Sequence, residues 1–139
     1  MVLATEIGDW RRFTRAPQLM ANLGVVPSKH SSGERQRHGS ITKAGSSHCR
    51  HVLVQAAWRY RHPPRVGAVL RQRQRDQVPS VIVHAWKAQK RLHALFRRLE
   101  FKRNSPIAAV AVARELTGFL WAVMHQIEHS NDPSLPHAA

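Results

Sequence analysis

Two long stretches of helical periodicity, joined by a single stop-and-start signal, constrain this chain more than anything else in it. The first opens at Pro79 and carries Val83, Trp86, Leu92, Leu95, Phe96 and Leu99 in a broad apolar stripe to about Phe101. The second sets Ile107, Val110, Ala113, Leu116, Leu120, Val123, Met124 and Ile127 at three- and four-residue steps. Between them, Asn104 offers an N-cap oxygen and Pro106 sits in the first turn, where its missing N–H costs nothing. Each helix has an apolar face to bury, so the pair predicts a mainly α fold. Residues 107–124 are apolar enough to raise the question of a membrane. Arg114 and Glu115 stand in that stretch, and each would cost about 2.5–3.5 kcal/mol at a bilayer centre. The expectation is a core helix and no membrane partner.

The N-terminal half reads differently. Pro17 to Leu23 form a short amphipathic helix that Gly24 ends. Residues 28–48 hold six serines and three glycines with almost no large apolar side chain. They predict a basic Ser/Gly-rich loop or a short β-hairpin, with Gly24-Val25-Val26 and Ser40-Ile41-Thr42 as the candidate strands. A helix capped at Ser46-Ser47 then buries Val52, Leu53, Ala56 and Ala57 and ends before Pro63-Pro64. Residues 65–78 read either as a basic helix or as a connector. The tail from Ser130 to Ala139 has no apolar period and is expected to fray. A division follows: one domain over residues 1–124, then a helix end and tail over 125–139.

At 139 residues the chain can bury one modest core. Its 22 Lys and Arg against 8 Asp and Glu give a formal charge of +14, which points to a polyanion, nucleic acid first. Lysine occurs only at positions 29, 43, 87, 90 and 102. The rest is arginine, whose planar fork grips phosphate through two parallel hydrogen bonds. Cys49 is the only cysteine, so no disulfide forms within the chain, and a packed thiol is expected. Glu6 and Asp9 break any resemblance of the N-terminus to a signal peptide. His48 with His51, and His125 with His129, have helical spacings, but no cysteine or carboxylate completes either set, so no metal site is expected. Trp58, Trp86 and Trp121 lie on apolar faces and read as core, while Trp10 beside Arg11-Arg12 reads either way.

The candidate chemistry lies in the basic loop. Ser31-Ser32-Gly33 offers a hydroxyl on a turn, followed by Arg35, Arg37, Lys43 and Arg50 as cations able to neutralise a phosphate. A free serine hydroxyl is a poor nucleophile and needs help to lose its proton. No His/Asp pair is placed by sequence to supply a triad, although His30 is close. On residue types alone, Ser-Ser-Gly is also an ordinary turn. The helix start at Ser46-Ser47 reads both as a simple cap and as a phosphate seat. Arg71, Arg73 and Arg75 either follow a nucleic-acid backbone or solvate a connector.

These landmarks, taken in order, resemble the C-terminal domain of the insertion sequence 110/116/902 transposase family. The likeness rests on Glu6-Ile7-Gly8-Asp9, Arg12-Phe13, Leu19, Ala21, Leu23-Gly24, Pro27, Ser31-Ser32-Gly33, Gly39 and Ile41-Thr42-Lys43-Ala44-Gly45. It continues through Arg50, Leu53, Ala56-Ala57-Trp58, Trp86-Lys87-Ala88-Gln89, Ala111 to Leu116, and Phe119-Leu120-Trp121-Ala122. The resemblance implies a serine-dependent DNA recombinase in which Ser32, with Ser31 as the alternative, is the nucleophile of strand cleavage and rejoining. It also implies a structured guide RNA, assembly of several subunits, and a cytoplasmic, nucleoid-associated setting in a prokaryote. Family members carry an N-terminal RuvC-like domain whose four acidic residues bind metal ions. Nothing matching that domain occurs in these residues, so a divalent metal is expected only there, no cofactor is expected in this chain, and a truncated or split member is the expectation. Two other readings compete: a non-catalytic basic helical module that binds nucleic acid, and a helical protein whose basic face meets an acidic protein.

Overall fold

The computed structural model describes residues 2–32 and 35–131. Among the described residues six helices run in order α1 Val2–Ile7, α2 Ala16–Asn22, α3 Ser47–Trp58, α4 Ala68–Gln74, α5 Pro79–Lys102 and α6 Ser105–Ser130. One antiparallel pair, β1 Pro27–Ser32 and β2 Arg35–Ile41, interrupts them between α2 and α3. The protein is mainly α, as the two apolar stripes predict.

α5 and α6 form a helical hairpin turned by Arg103-Asn104. Asn104 caps α6 by accepting from the Ile107 N–H at 2.9 Å. Ala108, Ala109, Val112, Ala113, Leu116 and Thr117 make the buried face of α6, and their small side chains let α2, α3 and α5 approach closely. Gly118 extends this closeness, for a Cβ there would lie 2.9 Å from Met20 Cε. Around that face pack Leu19, Leu53, Leu92 and Phe96, each about 1.5–3 kcal/mol of favourable burial. Thr117, the one buried polar side chain among the described residues, donates to the Ala113 carbonyl at 2.9 Å. By length and composition α6 could cross a membrane. Here its buried face is the centre of the core, and Glu115 on it pairs with Arg91 of α5 at 2.9 Å.

Several expectations shift. Ser40 and Ile41 end β2 as the second triplet suggested, but β1 begins only at Pro27, beyond Gly24-Val25-Val26. Val25 belongs to the core instead, and the ladder runs through the basic loop itself. The reason is the end of α2. Gly24 takes φ +68°, with its N–H on the Ala21 carbonyl and the Val25 N–H on the Met20 carbonyl, a Schellman close that aims the chain into the core before pairing begins. Trp10 is 4 % exposed and is core, whereas Trp86 is 38 % exposed beside Lys90, not packed as its stripe suggested. The arginine-rich stretch is helical over Ala68–Gln74, and α4 buries no residue. α6 continues through 125–130, and the remaining tail lies outside the described residues.

Candidate nucleic-acid interface

The hairpin rises from a tightly built base. Gly24 and Gly45 both have left-handed φ, and a Cβ on either would collide with backbone: Ala44 N at 2.3 Å from Gly24, the Asn22 carbonyl oxygen at 2.0 Å from Gly45. Lys43 also takes a left-handed φ of 55°, and its N–H donates to the Gly24 carbonyl at 3.1 Å. Only glycines permit the strand returning from β2 to lie this close to the end of α2.

Arg50 locks that base. From the first turns of α3 its Nη1 donates to the carbonyls of Leu23 at 3.2 Å, Gly45 at 3.3 Å and Ala44. Sequence reasoning placed Arg50 among the phosphate ligands; the structure gives this nitrogen three backbone acceptors.

Above the base the register is defined. Ser32 stands opposite Arg35, Ser31 opposite Gln36, His30 opposite Arg37 and Lys29 opposite His38, with a register shift between Pro27 and Lys29. Strand positions alternate with a period of two. Positions 30, 32, 35 and 37 therefore share one face of the ribbon, and 29, 31, 36 and 38 the other. The backbones of Ser31, Ser32, Arg35 and Arg37 are placed by this ladder, while their side chains lie outside what the structure describes, as do Gly33 and Glu34 entirely. Lys43 is exposed just past β2, and Arg71, Arg73 and Arg75 are exposed on and just after α4, a separate element.

The start of α3 is occupied from within the chain. Ser46 caps it, accepting from the Cys49 N–H at 3.2 Å. Glu6 of α1 brings its carboxylate to the same spot, where it accepts from the Ser46 hydroxyl, from Cys49 Sγ at 3.3 Å and from His48 Nδ1 at 2.9 Å. The Ser46 hydroxyl, then the Cys49 thiol and His48, hold the Glu6 carboxyl below its usual range, while burial pushes the Cys49 thiol up. A helix start that could seat a phosphate is thus filled by a carboxylate. Nothing in the local sequence announces this, because the partner lies 40 residues away.

Among the described residues no group of three His, Cys, Asp or Glu is placed to hold an ion. Asp9 pairs with Arg11, Glu100 with Arg61 and Arg97, and Glu115 with Arg91. His125, one of the spaced histidines, points Nε2 at the Phe13 carbonyl at 3.0 Å, beside Trp121 Nε1 on the same oxygen at 2.8 Å. The described residues do not fit the family's metal ions.

Residues 1–71 match the model of the transposase IS116/IS110/IS902 family. A protein of Sinorhizobium fredii that carries the name transposase y4qE is 46 % identical over 127 residues, 91 % of this chain and 33 % of that protein. A protein of Pseudomonas aeruginosa named as a family 20 transposase is 32 % identical over 88 % of this chain and 30 % of its own length. A transposase of Coxiella burnetii, named for insertion sequence element IS1111A, is 38 % identical over 37 % of this chain and 14 % of its own length. The chain thus spans about a third of the length of the first two relatives. No solved structure matches it.

Proposed function

The chain belongs to the IS116/IS110/IS902 family of transposases, and on that premise we propose that it is the DNA-handling, serine-bearing part of a DNA recombinase. Residues 1–124 form the working domain. The observation that carries the reading is the ribbon register, with Ser32 opposite Arg35 and the positions of His30 and Arg37 on the same face. The Ser32 oxygen bonds to a backbone phosphorus, and one P–O bond to deoxyribose breaks. The serine proton passes to a base, for which His30 is the candidate, and the departing sugar oxygen takes up a proton. Arg35 and Arg37 stabilise the charge growing on the non-bridging oxygens. Lys43 and the exposed Arg71, Arg73 and Arg75 hold neighbouring phosphates. The phosphoserine ester keeps the energy of the broken bond, so a hydroxyl from another strand can attack it, release Ser32 and rejoin DNA without nucleotide hydrolysis.

A structured guide RNA, assembly into a homo-oligomer, carboxylate-bound metal supplied by a RuvC-like part, and work at the cytoplasmic nucleoid complete the proposal. The test is covalent capture on a nicked duplex, read as a DNA–protein band that survives denaturation. Ser32→Ala is expected to abolish the band and leave salt-sensitive DNA binding intact. A band that persists in Ser32→Ala moves the nucleophile elsewhere. Salt-sensitive binding with no band from the unmodified chain leaves a basic binding module.

A further inference from the structure

Beside the base of the hairpin a groove of about 670 Å³ opens between the strands and the first turns of α6. Pro27 and Ile41 form its hairpin side, Ile107 and Val110 its helical floor, and Arg103 and Arg114 also line it. Among the described residues no carboxylate lines it. Arg11, Arg61, Arg91 and Arg97 each meet an acidic partner, but among the described residues neither Arg103 nor Arg114 has one. Arg114 is half-buried on α6, whose buried face centres the core. A guanidinium partly removed from water with no counter-charge is costly, and an arriving anion recovers that cost. Arg114 lies two turns beyond Pro106, roughly 12 Å along the axis, so the two cations mark separate points of the groove.

We propose that this groove seats an unpaired nucleotide, its base and sugar against Pro27, Ile41, Ile107 and Val110 and its flanking phosphates on Arg114 and Arg103. The volume lies within the range of small-ligand sites. Two cations with no anion among the described lining residues favour a polyanionic strand over an acidic-poor protein segment or a second copy of this +14 chain. The groove is also continuous with the ribbon, since Pro27 begins β1 and Ile41 ends β2. This inference rests on the reading of the chain as a nucleic-acid-handling domain. It adds a seat for a nucleotide that strand opening leaves unpaired next to the proposed cleavage site.

The test compares a labelled single-stranded oligonucleotide, the same strand with abasic sites, and the matching duplex, by fluorescence anisotropy at fixed salt. Val110→Trp fills the groove. Ile107→Glu places a carboxylate at a residue already 50 % exposed, where folding is not at stake, and unfolding midpoints check both variants. Each is expected to weaken the single strand about tenfold and leave the duplex nearly unchanged. Val110→Trp should leave the abasic strand unchanged. Arg114→Gln should weaken normal and abasic strands alike. The proposal is overturned if both groove variants leave single-strand binding intact, or if Val110→Trp weakens abasic and normal strands equally. It is also overturned if the unmodified chain is a dimer that Ile107→Glu splits, since a second copy then fills the groove. None of these readouts involves Ser32, so failure here leaves strand exchange by serine standing, and loss of the serine adduct leaves the nucleotide seat standing.

Discussion

The Glu6 carboxylate accepts the Ser46 hydroxyl across 40 residues of chain, tying α1 to the first turn of α3. Cys49 and His48 share that carboxylate, and together they lower the pKa of Glu6. Glu100 is lowered too, by the Ser105 hydroxyl first and then by Arg61 and Arg97. A carboxyl whose folded value lies below its unfolded value of about 4.5 adds stability that is complete above that pH. The contribution disappears as pH falls through the lowered folded values. Thermal midpoints should therefore be level from pH 7 to about pH 5 and drop below it, and Glu6→Gln combined with Glu100→Gln should flatten that drop. An unchanged acid limb in the double variant would show that these two carboxyls do not govern it.

Gly24→Ala should be among the most damaging small substitutions in the protein. Left-handed strain alone is on the order of 1–3 kcal/mol, and here the added methyl would also meet Ala44 N at 2.3 Å. Gly67, with φ −76° and nothing within 4 Å of its would-be Cβ, is the control, and Gly67→Ala, at an N-cap where alanine is disfavoured, should cost no more than about 1 kcal/mol. Urea midpoints of the two variants settle the contrast.

Arg50→Lys should behave as a stability variant and not as a binding variant. A lysine ammonium cannot repeat the reach of Nη1 to the Leu23, Ala44 and Gly45 carbonyls, and charged hydrogen bonds of this kind are worth about 1.5–3 kcal/mol. The salt dependence of DNA affinity should keep its slope. A slope reduced by about 0.9 in Arg50→Ala would show instead that the residue neutralises a phosphate.

What the chain discloses in advance divides along a physical line. Helices α5 and α6 were legible because period, N-cap and proline all point the same way at Asn104 to Pro106, and the close of α2 was legible from Gly24. The hairpin was half legible: Ser40-Ile41 end β2, but a two-stranded ribbon without an apolar face leaves no alternation to fix its register, so β1 fell beyond the predicted first strand. The Glu6 clamp and the second life of Arg50 were illegible, since both depend on backbone and side chains brought together from distant segments. Arg114 was visible as a charge in an apolar stretch, but that no carboxylate meets it among the described residues emerges only from the fold.

The two faces of the ribbon separate Ser32 from Ser31 as nucleophile. If Ser32 attacks, the cations that share its face are at positions 35 and 37, and neutralising either removes charge stabilisation where it develops. Removing one such donor commonly costs about 100- to 1000-fold in rate. Arg35→Gln and Arg37→Gln should then slow adduct formation on a nicked duplex far more than they weaken binding. Lys29→Gln, on the opposite face beside Ser31, should lower affinity through its lost positive charge and leave the rate at saturating DNA nearly unchanged. Single-turnover rates at saturation separate the two effects, because a lost ground-state contact is overcome by excess DNA and a lost transition-state contact is not. The reverse pattern, with Lys29→Gln slow and the two arginine variants fast, would assign the chemistry to Ser31.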